Sequence, residues 1–294
     1  MISRHRLIGG FIRGLILLTA MSVMTVVLFG CQGAQQTGTQ TSSAQEEKVY
    51  IYIPCGMREP FDHAISMFNE THPGPQIQPY FDNAVVLVRK IKDGDRPDLV
   101  VSPGKVEMLD LDDDGLIDTD SITDIGTYTL VLIVPRDNPG EVKSLQDLTK
   151  PSVRTVAIAE PSMNSVGLYG KESLESLGLW EKIKGKVINP EHALDAVTFT
   201  ATAKVDATLA YETCPLQSAP EKASKEKVKI IEEVSAGSHS PIEVKIGVLK
   251  ESPNPERAKE FVKFLTTEEV QATFQETGLP RISNLTAASA CVVE

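Results

Sequence analysis

The chemistry this chain can offer starts at the beginnings of its helices. Between residues 155 and 180 an apolar strand ending, Thr155-Val156-Ala157-Ile158, runs into the polar turn Glu160-Pro161-Ser162. After Gly167, the apolar positions Leu168, Leu174 and Leu177 fall at helical spacing. The first turn of a helix carries N–H groups without intrahelical partners, at the positive end of its dipole, so this turn is placed to hold an anion. A cation site is the second candidate: Asp110-Leu111-Asp112-Asp113-Asp114-Gly115 matches the first half of an EF-hand calcium loop. Its twelfth position is Ser121 in place of the bidentate Glu, and the competing reading is an acidic helix end closed by a glycine cap. His63, His72, His192 and His239 are scattered, and no His-x-x-x-His or Cys-x-x-Cys pair occurs. A Gly-x-Ser-x-Gly elbow and a phosphate-cradling glycine loop are also missing, so neither an enzyme nor a cofactor is expected.

These groups need elements to position them. Residues 49–54 (VYIYIP) read as a strand, and residues 58–69 place Phe61, Ala64, Ile65 and Phe68 on one helical face. His72-Pro73-Gly74-Pro75 stops that helix, and a second strand at 76–81 feeds the loop Asp82-Asn83-Ala84 and a short helix at 87–91. Arg96-Pro97-Asp98 leads into a buried strand at 99–102 and a helix through Val106, Leu109 and Leu111. Alternating strands and helices argue for parallel α/β sheets. Residues 127–135 (TYTLVLIVP) read as one long strand, with residues 244–249 (VKIGVL) as its return partner. Between them lie the 155–180 unit, an amphipathic segment at 193–199, and a strand at 205–211 that ends at Glu212-Thr213-Cys214. Helices at 256–265 and 268–276 follow, ended by Gly278 and Pro280.

At 294 residues and 41% hydrophobic content the chain can bury one large core or two medium ones. Arg4, Arg6 and Arg13 precede an apolar run at 15–29, shorter than the roughly 20 residues of a membrane span, and the pattern is that of an export signal. Leu28-Phe29-Gly30-Cys31 resembles the bacterial lipoprotein box, which makes Cys31 the lipidated first residue of the mature chain; a plain signal peptide or an anchor helix is the other reading. On the lipoprotein resemblance residues 1–30 would be a signal peptide, and 31–47 read as a flexible tether rich in Gln, Thr, Ser and Gly. The mature chain, with 26 Lys and Arg against 40 Asp and Glu, has a formal charge of −14, which excludes a nucleic-acid partner on electrostatic grounds. Cys55, Cys214 and Cys291 remain, an odd number in a disulfide-permissive compartment.

Pro161, Gly167-Leu168-Tyr169-Gly170-Lys171-Glu172-Ser173-Leu174 and Leu177-Gly178-Leu179-Trp180 together resemble the Pro…Gly-Tyr-Ala-Lys-Glu-Ala-Leu…Leu-Gly-Trp pattern of the molybdate-binding proteins of ABC importers. Asp98-Leu99, Tyr211 and Glu268-Glu269-Val270-Gln271 extend the resemblance over residues 48–280. It implies the type II periplasmic-binding-protein fold, an α/β molecule of two lobes with mixed sheets flanked by helices and joined by two hinge strands. Lobe 1 would hold residues 48–128 and 243–280, lobe 2 residues 129–242, and 281–294 a C-terminal tail. The family's ligand contacts fall on Gly56, Ala84, Val166, Ala193 and Tyr211. The serines that supply hydroxyls at the first two positions are replaced, which leaves their backbone N–H groups and the Tyr211 hydroxyl as donors; each charge-assisted hydrogen bond of this kind is worth roughly 1.5–3 kcal/mol.

On that alignment Cys55, Met57 and Arg58 share the first loop, Asp82 and Asn83 the second, Met163 and Asn164 the third, and Cys214 the loop after the tyrosine. Asn83 and Arg58 are then candidates to bond an anion directly, while Cys55, Met57, Met163 and Cys214 would suit a soft metal, or the two cysteines a disulfide. The resemblance implies a lipid-anchored, monomeric solute-binding protein at the cell envelope, facing the periplasm or cell exterior. It would capture molybdate or tungstate and deliver it to an ABC permease. A soft-metal or thiol-reactive ligand, or a sensor lipoprotein without transport, are the alternatives.

Overall fold

In the computed structural model, residues 48–213 and 226–280 are described. They form two mixed five-stranded sheets flanked by helices. The first takes β1 (Lys48–Pro54), β2 (Gln76–Asp82), β3 (Leu99–Ser102), β4 (Thr123–Gly126) and β10 (Val244–Val248) in the order β2-β1-β3-β10-β4. The second takes β5 (Leu130–Pro135), β6 (Val156–Ala157), β7 (Val187–Ile188), β8 (Ala207–Tyr211) and β9 (Val228–Glu233) in the order β7-β6-β8-β5-β9. Strands that alternate with helices run parallel, β1 beside β2 and β3, and β6 beside β7 and β8. The antiparallel members are β10, against β3 and β4, and β5, against β8 and β9. All six residues of β5 and all four of β3 are buried, as continuous apolar runs covered on both faces should be.

Eight helices cover the sheets: α1 (Arg58–Thr71), α2 (Ala84–Lys92), α3 (Lys105–Asp113), α4 (Ser165–Ser176), α5 (Trp180–Ile183), α6 (Ala193–Ala201), α7 (Pro255–Leu265) and α8 (Glu268–Glu276), counted among the described residues. The expected face of α1 is buried: Phe61, Ala64, Ile65 and Phe68 pack toward α7 and α8, with Phe61 and Phe274 ring centroids 5.4 Å apart. In α3 the buried side chains are Glu107, Met108 and Leu111, while Leu109, one of the apolar positions from which the helix is read, is exposed.

The strand expected over 127–135 is shorter in the structure, where only its part from Leu130 to Pro135 forms β5. Ahead of it β4 ends at Gly126, and Thr127 donates its N–H to the Pro280 carbonyl at 2.9 Å in place of a ladder bond. β4, which precedes the expected strand, is the partner of β10, and β5 pairs in the other sheet; the expected return strand β10 therefore lies against β3 and β4 and not against β5. Where the chain crosses between sheets, Thr127 Oγ1 bonds the Ile242 carbonyl at 2.6 Å, tying the outgoing connection to the returning one.

The acidic run after α3 is a helix end. Gly115, at φ +71°, caps it with its N–H on the Asp112 carbonyl, and the acids have other partners: Asp110 and Asp114 share Lys92 at 2.8 and 3.0 Å, and the Asp112 carboxylate accepts from Thr119. No group of three or more His, Cys, Asp or Glu among the described residues could hold a metal ion, and no helix among them is long and apolar enough to cross a membrane.

Candidate functional site

Parallel strands that each feed a helix bring the helix starts to one end of the sheet, and ligands collect there. A cavity of about 90 Å³ opens at this end, between the two sheets. That is far below the roughly 300–1,000 Å³ that holds a drug-sized ligand, and suits a small ion. Its lining comes from the turn at Cys55-Gly56-Met57 after β1, from Asn83-Ala84 at the start of α2, and from Pro103 before α3. The other sheet contributes Asn164 and Val166 at the start of α4, Ala193 and Leu194 at the start of α6, and Tyr211 and Thr213 at the end of β8. Tyr128 stacks on Tyr211 with centroids 4.8 Å apart. No Lys, Arg or His belongs to this lining among the described residues.

Several helix starts thus converge on one small space. Ala84 is the first residue of α2 and Val166 the second of α4, positions whose N–H groups a helix cannot satisfy itself. Asn83 caps α2 by accepting from Val85 N–H at 3.0 Å, and Asn164, 2% exposed, anchors the turn before α4 by donating to the Glu191 carbonyl at 2.7 Å. Gly167 lets α4 approach the sheet: a Cβ there would stand 2.0 Å from the Ala159 carbonyl oxygen.

Of the residues expected at a ligand, Cys55, Gly56, Met57, Asn83, Ala84, Val166, Ala193 and Tyr211 line this cavity. Met163 does not. Its N–H turns back to the Glu160 carbonyl, and it sits with Arg89, Lys92 and Asp110 on a neighbouring cavity of about 270 Å³, so it is not grouped with Cys55 and Met57 as a soft-metal set. Met57, 1% exposed, packs into the core. Arg58 is exposed and lies over the Phe81 ring at 3.9 Å, away from the lining. Cys55 is a free thiol whose pKa burial pushes up, against the pull of the Gly56 N–H. Cys31, Cys214 and Cys291 lie outside the described residues. The Tyr211 hydroxyl donates to the Pro103 carbonyl at 2.9 Å, so its hydrogen serves a contact between the two halves.

The residue that spacing missed is Glu107. It sits on the wall between the two cavities, 3% exposed, with its carboxylate against the first turn of α4. Ser165 N–H donates to Oε1 at 3.1 Å, and the Ser165 hydroxyl donates to Oε2. In the other direction Val106 N–H donates to Ser165 Oγ at 2.9 Å and Lys105 N–H to the Tyr169 hydroxyl at 3.2 Å. Two helices from different sheets therefore cap each other head to head. Burial pushes the Glu107 carboxyl above its usual range, although the Ser165 and Ser102 bonds pull the other way. One signal existed: Glu three residues after the Gly104 cap holds the third helical position favoured in capping boxes.

Further bonds span the gap around the site. Lys105 Nζ donates to Glu172 at 3.0 Å and to Ser240 Oγ at 2.8 Å, while Ser240 N–H reaches Glu172 at 2.8 Å. Partial burial opposes ionisation of Glu172, but these donors hold its carboxyl below the usual range. On the neighbouring cavity, Arg89 of α2 pairs with Glu191 ahead of α6.

Residues 49–279 match the family of bacterial extracellular solute-binding proteins. YvgL of Bacillus subtilis, named provisionally as an ABC transporter substrate-binding lipoprotein, is 29% identical over 244 residues, 82% of this chain and 90% of its own. The molybdate-binding protein ModA of Haemophilus influenzae is 20% identical over 234 residues, 79% of this chain and 89% of its own. Among solved structures, the substrate-binding domain of a provisionally assigned molybdenum ABC transporter from Clostridium difficile is similar with a TM-score of 0.60 and 25% identity, over 80% of this chain and 99% of that one.

Proposed function

From the premise that the chain belongs to the bacterial extracellular solute-binding protein family, we propose that it is the lipid-anchored capture component of an ABC importer for a small tetrahedral oxyanion of the molybdate or tungstate kind. The observation that carries the ligand class is the convergence of helix first turns on a cavity of about 90 Å³ whose described lining contains no cationic side chain. Backbone N–H groups at Gly56, Ala84 and Val166 would balance the charge through hydrogen bonds and helix dipoles. These donors are fixed by the fold, and the absence of family serines at the first two positions then changes the strength of binding and not its kind.

Residues 48–128 with 243–280 and residues 129–242 would be the two lobes, closing on the ion by rotation about the crossing segments. Anchoring at Cys31 accords with the lipoprotein name of the Bacillus relative. The permease would then receive the ion from a protein held at the membrane.

Thermal melting of the tetherless domain tests this, reduced and oxidised, with molybdate, tungstate, sulfate, phosphate, copper(I) and zinc. A ligand at about 100 times its Kd adds about 2.7 kcal/mol to the folded state. A shift by molybdate or tungstate in both thiol states supports the reading. A shift by copper(I) alone, and only when reduced, would move the assignment to sulfur chemistry at Cys55.

A further inference from the structure

Glu107 contributes the only carboxyl group to the described lining of the small cavity, beside Cys55, Tyr128 and Tyr211, and no cation answers it there. Its oxygens face Ser165 of α4 and, at 3.5 Å, Ser102 Oγ at the end of β3. The charged groups of the surrounding elements are engaged elsewhere. Lys105 on its own helix bonds Glu172 of α4, and Asp110 bonds Lys92 of α2. Arg89 of α2 bonds Glu191, and Lys245 of β10 bonds Asp124 and Glu243. Tyr169 of α4 accepts from Lys105 N–H, and its phenol is pushed upward by burial and by nearby Glu107, Glu172 and Glu243.

A doubly charged oxyanion in this cavity would lie close to that carboxylate in a space of low dielectric, where like charges repel far more strongly than in water. Helix first turns can balance the ion or the carboxylate, and Ser165 N–H is already given to Glu107. Resting on the oxyanion reading above, we propose that Glu107 is a specificity residue that takes up one proton from solvent when a dianion binds, so that the cavity admits its ligand only with this side chain as the neutral acid. The proton can be taken up with the heavy atoms in place, provided that the Ser165 hydroxyl hydrogen turns away from Oε2 while Oγ accepts from both Oε2 and Val106 N–H. Oε2 becomes the donor to Ser165 Oγ, the bond between them reverses direction, and Ser165 N–H still donates to Oε1. Burial has already moved the carboxyl toward the neutral form, which lowers the cost of uptake.

The sign of the linkage is fixed. Where Glu107 is ionised in the empty protein, binding absorbs up to one proton and affinity falls as pH rises, by at most about tenfold per pH unit. Where it is already neutral, affinity does not depend on pH. Titration calorimetry with tungstate, in buffers of different ionisation enthalpy and over about pH 6–9, counts the proton on the wild-type protein directly. The expected result is uptake approaching one proton toward the alkaline end, with falling affinity. Glu107→Gln, which keeps both an acceptor and a donor for Ser165, should bind with no uptake and a flat profile, and more tightly than wild type at the alkaline end. Tungstate binding by the wild type with no proton uptake and a flat profile overturns the inference and leaves the oxyanion reading standing. Failure of both proteins to bind tungstate, molybdate or sulfate at any of these pH values overturns the two together.

Discussion

Tyr211, the last residue of β8, holds the carbonyl of Pro103, the residue after β3, through its hydroxyl at 2.9 Å. A wall residue of the cavity is thus also a clasp between the two sheets. Tyr211→Phe removes one neutral hydrogen bond, worth about 1 kcal/mol, and is expected to weaken tungstate binding about fivefold by making closure less favourable. Small-angle scattering should show a larger ligand-free particle. Unchanged affinity together with unchanged scattering would show that closure does not use this bond.

Gly167 and Gly178 should respond differently to alanine. At Gly167 the added Cβ would strike the Ala159 carbonyl, so α4 must shift from the segment that follows β6, and a loss of about 3 kcal/mol is expected. At Gly178, φ +64°, nothing lies within 4 Å and the cost is the left-handed backbone alone, about 1–2 kcal/mol. Urea midpoints compare the two directly. Equal losses would refute the close approach of α4 to the sheet.

Glu107 and Glu172 are expected to shape the pH dependence of stability in opposite senses. Glu172 is held below its unfolded value of 4.5, so its contribution is present above that pH and disappears as pH falls through the folded value. Glu107 is raised above 4.5, so the folded state loses ground as pH climbs from there toward the folded value, by up to about 1.4 kcal/mol per unit. Glu172→Gln should flatten the acid side of the stability curve and Glu107→Gln the other. Denaturation midpoints from acid to alkaline pH decide it, and a Glu107→Gln curve parallel to wild type would count against the burial of an ionisable group there.

Arg89 and Glu191 are both about half exposed, and a pair of this kind contributes little to stability. Its place on the neighbouring cavity, which shares Glu107 with the small one, would give Arg89 another part, attracting anions as they approach. Arg89→Ala should leave the melting temperature unchanged while slowing tungstate association several-fold at low salt, with less of a difference at high salt. Stopped-flow measurements at two ionic strengths test this; equal rates for both proteins would remove Arg89 from the approach path.

Much of this arrangement is legible in the sequence because it is local. Strand runs such as 99–102, the Phe61–Phe68 face of α1, and the loops that start α2 and α4 are set by neighbours in the chain, and these loops are where the cavity lies. What escapes is decided at a distance. The strand read over 127–135 starts too early because Thr127 is drawn to Pro280 and Ile242, more than a hundred residues away, and β5 begins only at Leu130. Leu109 fits helical spacing and still faces solvent, while Glu107 is buried because Ser165, 58 residues on, supplies its donors from the other sheet. Periodicity ranks side chains by polarity, and here an acid with the right partners displaces a leucine from the interior.

The meeting of Gly104 with Ser165 has a mechanical consequence. A Cβ on Gly104 would lie 2.3 Å from Ser165 Cβ, so the backbone of one half already rests against the side chain of the other. If the two halves close on the ligand as proposed, this contact would set a fixed gauge for them. An ion wider than that gauge would leave them ajar, and a narrower one would sit loosely between them. Among oxyanions of equal charge and shape, this protein would act as a caliper, sorting them by diameter, with the setting held by the one residue that has no side chain.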